Sequence, residues 1–473
     1  MRRIALASQL VLALGASGCV PDFSAFTVTD DAGAEAGASD GGADAGADAG
    51  GDAGPADAGP PDAGPPDAGP ADAGTDAGFV PTSVDRPCGT DWTDLVDPVA
   101  PECAGRSVTD VAIPFATTGL ALGFARDTVT IAYNELDGPD SGRVGTVTFS
   151  PDDPASATAG PSIEPDSVLG DVVGVDMRMA SAPTGVHHLA LWYRSDFGHT
   201  VRLYTLRSGL FEVPVVLASG VGPSGVVDVA IDSDGRRVVA WHDDTSGRNA
   251  ARREDGSGGF APERLLRADG DSRLVGHGAI SLAAGAGGTV HAAFQWAITL
   301  AASAPSYSLG TPAMWTSPTT IDNTVIENRT SGVGTDVTVI GDMAVVAYLD
   351  WRDGVGDVRI ARLRPGVMPE VTSYLMGVIA TDQPGDHPIE IEADRNGWLH
   401  LLVADASGSE VTLQYHRQTE VGGELRWIVD TIARLPGLAE EVLVDMAIGP
   451  DRRPHIAYWD TSRGVVRYAT VRP

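Results

Sequence analysis

From about Ser107 to the end of the chain, apolar and polar residues alternate in short runs such as VDVAID, RVVAWHD, VRLYTLR, HIAYWD and VVRYATV. A period of two over five to eight residues predicts half-buried β-strands, and no stretch sustains a helical period. SDG, PDRR and RNG punctuate the runs as turns. The pattern also repeats: VDVAIDSDGRRVVAWHDDTSG returns near the C-terminus as VDMAIGPDRRPHIAYWDTSRG. Strands aligned on Tyr133, Trp192, Trp241, Phe294, Tyr348, Val403 and Tyr458 follow at gaps of 59, 49, 53, 54, 55 and 55 residues. Each unit reads as an inner strand, a turn, the aligned strand, a polar turn and a third strand, and several units show a fourth, as in LRWIVDTIARL.

Seven units of short antiparallel strands predict an all-β chain with a seven-bladed β-propeller over residues 106–473. The last unit, starting near Glu441, has only three strands before Pro473. SVTDVAIPF, starting at Ser107, belongs to no unit and is expected to supply the missing strand, closing the ring and removing an open sheet edge.

Composition changes upstream. Residues 30–78 are dominated by DAG units, with no basic residue and almost nothing apolar larger than Ala. Such a segment cannot bury a core, and Pro and repelling Asp should keep it extended as a disordered tether spanning 20–79. Before it, Arg2 and Arg3 precede the short apolar core IALASQLVLALG and then ASGC, ending at Cys19. This is too short for a permanent bilayer span and reads as a signal peptide over 1–19. Small residues before a cysteine resemble the lipobox of bacterial lipoproteins, although Ala16 stands where the usual pattern prefers Leu. The resemblance implies cleavage before Cys19 and lipidation of its thiol. Val20 rather than Asp follows, which implies the outer membrane by the sorting rule of enteric bacteria. Cys88 and Cys103, in a loop spanning 80–105, are expected to form a disulfide in an exported chain. Closing that loop would stabilise by about 3 kcal/mol.

The formal charge is −32, from 64 acids against 32 basic residues, every one of them Arg. Such a chain repels phosphate backbones, so nucleic acid is not an expected partner. Two acidic series fall in register. Asp176, Asp228, Asp336, Glu390 and Asp445 open inner strands, while Glu135, Asp243, Asp350, Asp405 and Asp460 follow the aligned strands. Both are expected at the mouth of the central channel. They could hold a cation such as calcium, attract a basic ligand, or serve as local acceptors of backbone N–H groups. Repetition in five blades favours the local role, and no cofactor is otherwise implied. His188, His291, His400 and His455 recur at or beside one strand position, which points to blade packing.

His242 breaks the repeat beside Asp243 and Asp244 and is the candidate general base if the chain is catalytic. The irregular fourth unit carries Trp296, Tyr307 and Trp315, candidates for a stacking platform. The repeat grammar resembles neuraminidase-like, BNR-type bacterial propellers, whose units read D-x-A-x-D-x-x-G-x-x-H-x-A-Y-x-D. IDSDGRRVVAW lacks the spacing of their S-x-D-x-G-x-T-W box, so sialidase chemistry is not carried over. The expectation is an envelope lipoprotein whose monomeric propeller binds a protein or glycan, touching the membrane only through its lipid. A carbohydrate-active hydrolase or lyase and an architectural envelope protein are the alternatives.

Overall fold

The computed structural model describes residues 84–85 and 106–471, the latter with breaks at 112–118, 139–140, 164–175, 196–197, 223–224, 244–247, 267–279, 300–301, 323–330, 351–355, 380–387, 406–409, 422–423 and 437–442. Cys19, Cys88, Cys103 and Asp244 lie outside the described residues, as does the DAG segment.

Seven antiparallel sheets follow one another along the chain as blades 1 to 7. Their inner strands are Leu120–Ala125, Asp176–Ser181, Val227–Ile231, Ile280–Ala284, Ser331–Ile340, Ile389–Ala393 and Val444–Ile448. The aligned aromatic positions all fall on second strands. Tyr133 pairs with Leu120, Trp241 with Val227 and Tyr458 with Val444, so the repeat register is that read from the sequence. Blade 7 closes as expected: Arg106–Val111 pairs antiparallel with Val465–Val471, from Arg106 opposite Val471 to Val111 opposite Val466. Blade 2 splits its outer strand into Leu210–Phe211 and Val215–Val221, both paired to Gly198–Arg207. Blade 6 gains Val84–Asp85, parallel to its outer strand at Trp427 and Ile428.

Alternation along each strand sends side chains to both sides of a blade, so the core lies between blades rather than at the centre. Among the described residues it forms one apolar cluster per gap. Ile391, Leu401 and Trp427 meet Val345 and Leu349 between blades 5 and 6. Val111, Trp459 and Tyr468 meet Ile131 and Phe149 between blades 7 and 1. Val111, from the closing strand, takes part in the second of these gaps.

Candidate functional site

The inner strands present their free edges to a central channel, where a cavity of about 410 Å³ is lined by Arg178, Asp228, Asp336, Glu390, Glu392 and Asp445 among others. An inner edge leaves backbone N–H groups without a ladder partner, and the acids of this series supply one from the preceding blade. Asp228 of blade 3 accepts from Leu282 N–H of blade 4 at 2.6 Å and from its own neighbour Val229. Asp336 accepts from Ile391 N–H of blade 6 at 2.5 Å, and Asp445 from Leu122 N–H of blade 1 at 2.7 Å. Ser281 takes the equivalent place in blade 4, donating to Asp336. Asp176 sits one position earlier than the others, directly opposite Trp192. It accepts from Val227 N–H at 2.7 Å, outside the channel cavity. These carboxylates are clasps between adjacent blades.

Glu390 differs: it receives the Arg178 guanidinium at 2.5 Å, and Asp445 lies 3.2 Å from the same group. Arg178 therefore reaches across from blade 2 to blades 6 and 7. Burial opposes its charge, yet Glu390 and Asp445 hold its pKa above the ordinary value. Burial pushes Asp228 up to about 7, with Arg178 opposing. Glu392 is pushed up to about 8 by burial and by Asp336 and Asp445. Among the described residues no three His, Cys, Asp or Glu side chains are arranged to hold a metal ion. Arg178 was not singled out from the sequence; its signal was an arginine between two methionines in the inner strand DMRMAS.

The second acidic series does not join the first. Asp243 accepts from Gly222 N–H at 2.9 Å, Asp350 pairs with Arg359 at 2.6 Å and Asp405 accepts from Gln414 at 3.2 Å. Asp460 accepts from the Ser462 hydroxyl at 2.6 Å and from the Ser462 and Arg463 N–H groups. None of these four lines the channel cavity. Glu135 lies on the second strand of blade 1, opposite Arg143.

His242 is buried, with Nδ1 2.9 Å from Asn249 Oδ1. The three aromatics of blade 4 do not converge. Trp296 follows Phe294 on the side facing blade 3, whereas Tyr307 packs into the gap with blade 5. Trp315 lies against Gly310, at the opposite end of the second strand from Trp296. The recurrent histidines pair within their blades: His291 with Tyr307 at 2.7 Å, His400 with Tyr415 at 2.5 Å and His455 with Tyr468 at 2.6 Å. Burial lowers each of these histidines to about 4, so they stay neutral near pH 7. His455 also stacks on Phe124 of blade 1, ring centroids 4.1 Å apart, across the gap where the ring closes.

A second cavity, of about 670 Å³, runs between blades 1 and 2. Two tight turns frame it. Arg126 and Asp127 both have positive φ (50° and 59°), as do Ser208 and Gly209 (52° and 76°). Positive φ is uncommon for residues with a Cβ and costly for a bulky one such as Arg. Gly185 of blade 2 makes room for the Arg126 stem: a Cβ there would lie 3.0 Å from Arg126 Cδ. The wall carries Thr128, Thr148, Thr158 and Thr184. At the floor, His187 Nε2 lies 3.2 Å from the Thr130 hydroxyl, and its Nδ1 lies 2.7 Å from the Ser181 hydroxyl. Sequence patterning passed over this groove because its parts are turn residues and threonines scattered over two repeats.

No protein-family model matches the chain, and no curated protein matches it in sequence. Among solved structures it is similar to the polysaccharide lyase Uly1, at 12% identity and a TM-score of 0.46 over 77% of this chain and 91% of that one. It is also similar to a leech intramolecular trans-sialidase, at 9% identity and a TM-score of 0.40 over 77% and 70%. The Aleuria aurantia lectin shares 10% identity, with a TM-score of 0.39 over 70% and 96%. At these identities the likeness is one of propeller fold.

Proposed function

We propose that this chain is an outer-membrane lipoprotein, anchored through Cys19 and held away from the lipid by its DAG tether, whose propeller is a binding module. The ligand is a glycan or a peptide lying in the groove between blades 1 and 2. One observation carries this reading: the groove combines an open 670 Å³ volume with threonine hydroxyls and an exposed guanidinium. Among the described residues, the channel acids and His242 are engaged within the fold. The channel acids clasp neighbouring blades and Arg178, and His242 is buried against Asn249. That geometry supports binding over turnover at His242.

The test uses the full chain in detergent micelles on an array of envelope polysaccharides and peptides. Retention by a subset of the array, weakened by Thr148→Val with Thr158→Val, is the expected result. Retention of nothing would favour the architectural alternative. Release of new chain ends would favour the enzyme. The anchor is tested separately by labelling cells with a radioactive fatty acid, which should mark the wild type and not Cys19→Ser.

A further inference from the structure

We infer that the groove between blades 1 and 2 is a site for acidic saccharides. It takes an oligosaccharide bearing a carboxylate or sulfate ester, with the acid group on Arg126 and the sugar hydroxyls along the threonine wall. The inference rests on the binding reading above and narrows its ligand.

Arg126 is exposed, and its guanidinium has no hydrogen-bond or ion-pair partner among the described residues, in a chain where acids outnumber bases 64 to 32. Several other arginines at blade turns are neutralised. Arg207, on the opposite lip, is paired with Glu212 at 2.8 Å. Arg237 is held by Glu254 and Arg453 by Asp152 and Asp451. The Arg126 stem is seated over Gly185 by a turn with unfavourable φ, so the guanidinium is placed rather than free to sweep the surface. A planar guanidinium recognises a carboxylate or sulfate oxygen pair by two parallel hydrogen bonds. The rest of the wall offers neutral hydroxyls, whose oxygens can accept and whose protons now bond within the wall. Thr148 and Thr158 lie on paired strands, 3.2 Å apart between the Thr158 hydroxyl and the Thr148 carbonyl. Burial lowers His187 to about 4, so the floor adds no second cation near pH 7. One fixed cation beside a row of hydroxyls fits a polyhydroxyl ligand with isolated acid groups better than a dense polyanion, which the overall −32 charge would repel.

Affinity is measured by isothermal titration on the full chain in micelles, with tetragalacturonate, a sulfated maltotetraose, maltotetraose and tetraglutamate as probes. Arg126→Asn is the variant, because Asn tolerates the left-handed turn, and its thermal unfolding checks that the fold is kept. Binding of either acidic saccharide, at least about tenfold tighter than maltotetraose and weakened about tenfold by Arg126→Asn, is expected. The two acidic probes tell carboxylate from sulfate. Equal binding of acidic and neutral saccharides, unchanged in Arg126→Asn, would overturn the acidic class while leaving the groove as a glycan site. Binding of tetraglutamate alone would overturn the saccharide and keep a peptide-binding groove. No binding by any probe would overturn the inference; the array and Thr148/Thr158 variants test the broader reading independently.

Discussion

Arg178 meets Glu390 and Asp445 inside the channel, and Asp228, Asp336 and Glu392 line the same cavity. Removing one member of a buried ion pair leaves its partner uncompensated, which costs about 3–5 kcal/mol. Here that cost should depend on pH, because burial raises Asp228, Asp336, Glu390 and Glu392 above their ordinary values. Protonated, these groups need no cation. Arg178→Met is therefore expected to destabilise by several kcal/mol at pH 8.5 and by much less at pH 5, measured as urea unfolding at both values. An equal loss at both would mean that Arg178 acts through packing of its stem instead. Each Asp clasp replaces water at an edge N–H, a role that needs the carboxyl oxygen more than its charge.

At the scale of the strand, the ring depends on Arg106–Val111. Val111 is fully buried between blades 7 and 1, against Trp459 and Val466 of one and Leu120 of the other. Val111→Asp would place a charge in that gap and is expected to cost about 3 kcal/mol or more. Detaching the strand would also expose Val465–Val471 as an open edge, so size-exclusion chromatography should show oligomers. Ser107→Ala in the same strand should change stability by less than about 0.5 kcal/mol and stay monomeric. This strand was legible in the sequence because closure is a counting argument: seven inner strands and one incomplete blade leave SVTDV a single place. Second strands were legible for a different reason, since alternation around Tyr133, Trp241 or Tyr458 fixes which residues face each gap. Register of a single acid was not. Asp176 looks equivalent to Asp228 by letter, but pairs opposite the aromatic instead of one residue beyond it, so it clasps blade 3 from outside the channel. The groove was illegible for a third reason. Arg126–Asp127 adopts a conformation usually signalled by Asn or Gly, and the threonines facing it are spread over three strands of blade 1 and a turn of blade 2.

Across the whole molecule, two families of titratable groups, buried histidines and half-buried channel acids, pull stability in opposite directions with pH. His187, His188, His291, His400 and His455 are lowered by burial from 6.5 to about 4. Their contribution is fully present above about pH 6.5 and is lost as pH falls towards 4, where the unfolded chain takes up protons that the fold refuses. Asp228 and Glu392 are raised to about 7 and about 8, so the folded state holds protons that the unfolded chain has released. Their contribution is complete below about pH 4 and is lost as pH rises through 7 and 8. From about pH 7.5 the histidines are nearly neutral in both states, while the channel acids Asp228 and Glu392 still titrate. The melting temperature should therefore fall between about pH 7.5 and pH 8.5. Glu392→Gln removes one of these acids without removing its volume, so it should melt higher than the wild type at pH 8.5 and close to it at pH 5. A melting temperature that stays flat to pH 8.5 in the wild type would mean that the channel carboxylates ionise freely. The acidic ring would then have to be neutralised by something other than its own protons and Arg178.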